Sequence, residues 1–172
     1  MDTFIDVALL ALLAVTAYAI VRLHDMLAVV MLSGIYSLLS AALFVVLDAV
    51  DVAFTEAAVG AGVSTLLLLA TLGLVGREAR PPEHRAWLPL AVVIVTGLAL
   101  VYGTYDMPPF GAADNPVQQH VAPHYLEHTA TEIGVPNVVT AVLASYRGYD
   151  TLGEVSVVFT AGVGVLLLLR RR

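Results

Sequence analysis

The sequence predicts an all-α integral membrane protein with five transmembrane helices, its N-terminus outside and its C-terminus cytoplasmic. Three observations carry that expectation. Of the 172 residues, 59% are hydrophobic and only 13% are charged, about half the charge of an ordinary soluble domain; the mean hydropathy is +0.89. Apolar runs repeatedly reach the roughly 20 residues needed to cross a bilayer. Those runs are continuous rather than alternating, which excludes a barrel and leaves helices, because lipid offers the backbone no hydrogen-bond partner.

The expected spans cover residues 4–21, 26–47, 52–75, 86–105 and 151–169. The first, in "MDTFIDVALLALLAV", begins acidic without a basic flank, so it reads as a span and not as a cleaved signal peptide. The second carries Ser33, Ser37 and Ser40 with Gly34, Tyr36 and Ala41 nearby, a pattern best read as helix packing. The third opens on "DVAFTEAAVGAG", whose Gly60 and Gly62 also permit a wide turn. "GREARPPEHRA" is polar with a Pro-Pro pair and reads as a linker over 77–85. It divides the chain into a three-helix unit, 1–76, and a two-helix unit, 86–172, with an outer loop at 106–150.

Charge sets the orientation. All eight basic residues are arginines. Arg22, Arg77, Arg80, Arg85, Arg170, Arg171 and Arg172 fall on one side of a five-span chain, which the positive-inside rule makes cytoplasmic. The absence of cysteine excludes disulfides and thiolate metal sites. The net charge of −6 gives nucleic acid no basic surface. Nothing in the chain calls for a cofactor.

The acids within the spans are the candidate chemistry. Glu56 sits about one turn inside the third span, with Gly60 and Ser64 behind it at helical spacing and Thr71 further on. An acid at the bilayer centre costs about 2.5–3.5 kcal/mol, and less towards the edge. Two readings stand: small residues admit a neighbouring helix, or the stripe lines a hydrated path along which Glu56 exchanges protons or cations. Glu154, about one turn into the last span, is expected at similar depth, with Ala161 and Gly164 behind it. Asp6 lies near the same face and reads as an exposed end residue or as a third acid of the set. Arg147, the only outer arginine, precedes Asp150 and Glu154 and is their expected charge partner.

The outer loop begins with the turn-rich "MPPFGAADNP". His120, His124 and His128 repeat every four residues, but Pro123 interrupts them and no acid or cysteine completes a site, so metal binding is not expected. "GVPNVVTAVLASYRGYD" reads as a short amphipathic helix capped by Asn137 and stopped by Gly148, with Val138, Val139, Val142 and Leu143 on its apolar face.

Two motifs resemble known families. "DVAFTEAAVGAGVSTLLLLATLGL" resembles a small domain of Mrp-type cation/proton antiporters and membrane-bound hydrogenases, itself similar to the J-type membrane subunit of respiratory complex I. "NVVTAVLASYRGYDTLGEVSVVFTAGVGVL" is similar to the C-terminal end of the large Mrp A subunit and to the small E subunit of membrane-bound hydrogenases. The resemblance covers nearly the whole chain. It implies a membrane subunit, not an enzyme by itself, of a multi-subunit sodium/proton antiporter in a prokaryotic plasma membrane. Its partners would be other Mrp-type or complex I-like subunits. Glu56 corresponds to the acid of the first motif, and Asp150 and Glu154 to the acids of the second. In the large A form the position of Glu56 is usually glutamine and the acid lies one turn deeper, where this chain has Gly60. The alternatives are an ion-translocating subunit of a hydrogenase-like redox complex, or a purely structural subunit.

Overall fold

Helices account for the regular structure of residues 2–79 and 87–170, which the computed structural model describes; no strand longer than an isolated bridge occurs among them. The chain divides into two units, Met1–Ala86 and Trp87–Arg172. Four helices are long and apolar enough to cross a membrane: Thr3–Arg22, Met26–Val46, Val50–Val75 and Gly148–Leu167. The expected fourth span is shorter, an apolar helix of 17 residues from Trp87 to Gly103. At 1.5 Å per residue it is about 25 Å long, against roughly 30 Å of hydrocarbon. Ala86, where that span was expected to start, lies outside the described residues, as do Arg80 to Arg85 of the expected linker and the terminal Arg171 and Arg172.

In the first unit, α1 (Asp2–Arg22) and α2 (Met26–Val46) are joined by three residues, which forces them antiparallel. Asp25 caps α2, its carboxylate accepting the Leu27 and Ala28 amides at 2.8 and 3.4 Å. These amides, the first above all, hold Asp25 below the usual carboxylate range, with Arg77 helping. At the far end of α2 the Asp48 and Ala49 amides donate to the Val45 and Phe44 carbonyls. This is a Schellman-type stop, and it puts Asp48 at φ 58°, where glycine usually serves. The chain then re-enters as α3 (Val50–Thr55), a π-helical segment (Glu56–Val63) and α4 (Ser64–Val75), which together form one continuous third helix.

That helix ends at Gly76, φ 94°. The residues after it return to the α1–α2 turn: Met26 N donates to Arg77 O at 2.7 Å and Ala79 N to His24 O at 3.0 Å. A salt bridge of 3.4 Å joins Arg77 to Asp25. Arg22 and Arg77 therefore lie at the same end of this unit, and Asp6, Asp48 and Glu56 towards the other. α2 is central, packing against α1 and against the whole third helix. Its buried residues, Val30, Gly34 and Ala41, are small or medium. They let the helices approach closely, the basis of helix packing in lipid. Large apolar side chains such as Phe54, Leu66 and Leu74 are left exposed.

The second unit contains α5 (Trp87–Gly103), α6 (Pro116–Gln119), α7 (Val121–Glu132), α8 (Val138–Ala141), a π turn (Val142–Tyr146) and α9 (Gly148–Arg170). Pro123 does not break α7, because it falls in the first turn, where amides have no helical acceptor. Asn137 caps α8 as expected, accepting from Thr140 N at 2.8 Å. Two expectations fail here. Gly148 does not stop a helix; it starts α9, and the preceding π turn ends at Arg147. The side chain most buried on α8 is Ala141, 1% exposed, while Val139 and Leu143 face outwards. A tight contact between α7 and α8 admits a methyl group at that point and not a branched side chain.

Candidate functional site

Glu56 is the first residue of the π segment and is half-buried. In that segment each turn takes in an extra residue, since bonds run from i to i+5. Gly60 and Gly62 fall within it and remove the side-chain crowding of a widened turn. A β-carbon added at Gly60 would lie 2.7 Å from Glu56 Oε1, 3.1 Å from Glu56 Cδ and 2.7 Å from Ser37 Oγ of α2. Thus the Glu56 carboxylate folds back along its own helix and lies over Gly60. The Ser37 hydroxyl reaches the same point from the neighbouring helix. Gly60 is what leaves room for both.

A second notch answers the first. A β-carbon added at Gly34 of α2 would lie 2.8 Å from Thr65 Oγ1 of α4. Each helix therefore sets a hydroxyl into a glycine of the other: Ser37 over Gly60, and Thr65 over Gly34. The spacing is three residues on α2 and five on the third helix. Five is the period of the π turn, so the widened segment brings the two faces into register.

Ser64 was expected to continue the stripe behind Glu56 and Gly60. It is half-buried, at the start of α4. The residue that meets α2 beyond Gly60 is its neighbour Thr65. An inserted residue turns a helix by about 100°, so a stripe read at α-helical period drifts off the face within one wide turn. Ser37 and Thr65 were not singled out as site residues from sequence. The usable signal was Gly34 and Ser37 facing a segment with paired glycines.

Asp6 is half-buried, not an exposed end residue, and its Oδ1 is sealed from solvent with no hydrogen-bond partner. Beside the α2–α3 turn a cleft of about 200 Å³ is lined by Ala41, Val45, Ala53, Phe54 and Ala57. Its walls are apolar, and it offers an ion no ligand.

In the second unit Arg147 Nε pairs with Asp150 Oδ2 at 2.6 Å. The pair is one helical turn apart and exposed. Glu154, one turn further on, is exposed, and Arg147 does not reach it. The expected three-residue charge cluster is thus a pair plus a separate acid. Leu143 O, near the end of the π turn, accepts the Thr151 hydroxyl at 2.7 Å, which fixes the start of α9.

The histidines sit differently from the expected even row. His120 lies between α6 and α7, while the His124 and His128 rings stack at 4.6 Å. His124 Nε2 lies 3.6 Å from Glu132 Oε2, which also accepts the Tyr146 hydroxyl. That bond to a carboxylate raises Tyr146 above the usual phenol range. Among the described residues no group of three or more such side chains is arranged to hold a metal ion.

The geometry agrees with what the chain is similar to. Residues 11–77 match the family described as the D subunit of MBH, and residues 84–172 match the family described as the E subunit of MBH. A probable A/B subunit of a K⁺/H⁺ antiporter from Rhizobium meliloti (strain 1021) is 29% identical over 87% of this chain and 15% of its own length. The A1 subunit of a Na⁺/H⁺ antiporter from Staphylococcus haemolyticus (strain JCSC1435) is 29% identical over 97% of this chain and 20% of its own. Among solved structures, a chain of the Mrp complex from Dietzia sp. DQ12-45-1b superposes with a TM-score of 0.75 and 31% identity, covering 96% of this chain and 18% of that one. The chain spans a fifth or less of the length of each of these relatives.

Proposed function

The chain belongs to the MBH E-subunit family, and on that premise we propose that it is a membrane subunit of an Mrp-type monovalent cation/proton antiporter. In this reading it crosses the membrane five times, α5 included, with Arg22, Arg77 and Arg170 at the cytoplasmic face of a prokaryotic plasma membrane. A helix of 17 residues stands at the short end of the spanning range. The three-helix unit, 1–76, corresponds to the D-like part, and 86–172 to the E-like part with its outer loop.

The observation that most supports the reading is the superposition over 96% of the chain on part of an Mrp complex. The site adds a mechanism. Glu56 takes up a proton or a sodium ion near the outer face and passes it towards a partner subunit. Gly60 and Ser64 lie on the inward side. Glu154, exposed on α9, faces lipid or a partner and serves a second point of the route, with Asp150 held beside it by Arg147. A single span with exposed polar groups is unfavourable in lipid, so neighbouring subunits cover this face.

The test is antiport by the assembled complex in everted membrane vesicles. Glu56→Gln and Glu154→Gln are each expected to lower sodium-dependent proton movement while the complex assembles normally. Full antiport by a well-assembled variant would remove that residue from the route. The names of the matched families favour a second reading, a subunit of a hydrogenase-like redox complex. Purification in mild detergent separates the two: copurifying nickel–iron or iron–sulfur subunits would select the redox complex.

A further inference from the structure

We infer that the inward continuation of the route from Glu56 runs along the α2 interface through Ser37 and Thr65, with Ser37 positioning the Glu56 carboxylate. This rests on the reading of Glu56 given above. Glu56 Oε1 and Ser37 Oγ each lie 2.7 Å from one point above Gly60, so the two oxygens are within twice that distance of each other. A hydroxyl there offers the carboxylate, its proton or its cation an oxygen from a second helix.

Beyond it Thr65 Oγ1 sits against Gly34, on the same α2 face, one turn from Ser37. Carboxylate and two hydroxyls thus follow one interface, and glycines stand opposite both hydroxyls. Packing alone is served equally well by an apolar group in each notch, as Ala41 shows further along α2. Hydroxyls in those notches add oxygen ligands at a depth where lipid has none. Thr16 and Thr71 differ, since their hydroxyls are bonded to carbonyls of their own helices at 2.8 Å. No such bond occupies Ser37 or Thr65 among the described contacts.

The experiment uses the whole complex in membrane vesicles, reading apparent KM for Na⁺ separately from maximal rate. Ser37→Ala and Thr65→Val are each expected to raise KM roughly five- to tenfold, the effect of losing a hydrogen bond to a charged group. Thr65→Val keeps the shape that fills the Gly34 notch. Thr65→Ser loses the methyl but keeps the hydroxyl and is expected within about twofold of the parent. Thr71→Val is the control for hydroxyl loss on the same helix. The inference is overturned if Thr65→Val transports like the parent, or if Thr65→Ser is as damaging as Thr65→Val, which would mark a packing role only. Glu56→Gln runs beside them. If it transports normally, the role proposed for Glu56 has failed; if it is inactive while Ser37→Ala and Thr65→Val are normal, only the path along α2 has failed.

Discussion

Gly60→Ala separates the chemistry of Glu56 from the stability of the helix that carries it. The new methyl would lie 2.7 Å from both Glu56 Oε1 and Ser37 Oγ. Such contacts require something to move, and the near atoms belong to flexible side chains, not backbone. The helix therefore stays and the carboxylate swings away. Overpacking costs about 1–3 kcal/mol, while replacing glycine by alanine in a helix returns about 0.5–1 kcal/mol. Net stability falls by no more than about 2 kcal/mol, yet the carboxylate loses its place. Gly62→Ala is the matched control. It lies in the same π segment and gains the same propensity, but its methyl meets only Ala57 O at an ordinary 3.7 Å. In vesicles, Gly60→Ala is expected to lower sodium-dependent proton movement about tenfold, equivalent to roughly 1.4 kcal/mol. Gly62→Ala is expected to leave it unchanged. Equal transport by the two variants would show that the carboxylate's position over Gly60 has no functional weight. Equal loss would assign the effect to the π segment itself.

Three other outcomes follow from the first unit. Asp48 holds a left-handed backbone at φ 58°, so Asp48→Val is expected to lower the complex's melting temperature, by about 1–2 kcal/mol in stability, while Asp48→Gly holds or raises it. The Asp25 carboxylate is held low by the Leu27 amide first, so its cap is fully present above pH 3.8 and is lost as pH falls through the lowered value; Asp25→Ala should remove that acid-side dependence in melting curves. Asp6 Oδ1 is sealed without a partner, so Asp6→Leu should raise thermal stability by about 1–3 kcal/mol; weakened assembly instead would mean that a neighbouring subunit supplies the missing donor.

The helices of the first unit were legible because continuous apolar runs have only one solution in lipid. Their ends were legible where a side chain does the capping, as at Asp25 and Asn137. The interior of the third helix was not. Sequence periodicity assumes 3.6 residues per turn, and under that assumption Glu56, Gly60 and Ser64 share one face. The π segment preserves the first pair and shifts the rest, which puts Thr65 against α2. A wide turn is a balance between backbone bonding and side-chain crowding, and the sequence shows only the crowding, through Gly60 and Gly62. The partner hydroxyl was hidden for another reason. Ser37 is one of three serines on α2, and only the approach of Gly60 distinguishes it from Ser33 and Ser40.

The second unit failed to follow its sequence reading where polar groups had a choice of partner. Arg147 had two acids ahead of it, and took Asp150 because a separation of three residues on a starting helix brings the groups together without extending the arginine. His124 likewise had His120 and His128 at equal spacing, and the break after α6 removed one of them. In both places the sequence supplies the candidates and the local backbone selects among them. Glu154 is what that selection leaves over: an acid on a spanning helix, exposed, with its nearest arginine already engaged. If α9 met lipid alone, that arrangement would carry the full burden of an intramembrane charge. The acid is tolerable only where another subunit or water meets α9 at that level, so the position of Glu154 marks the side of α9 on which the rest of the complex must lie.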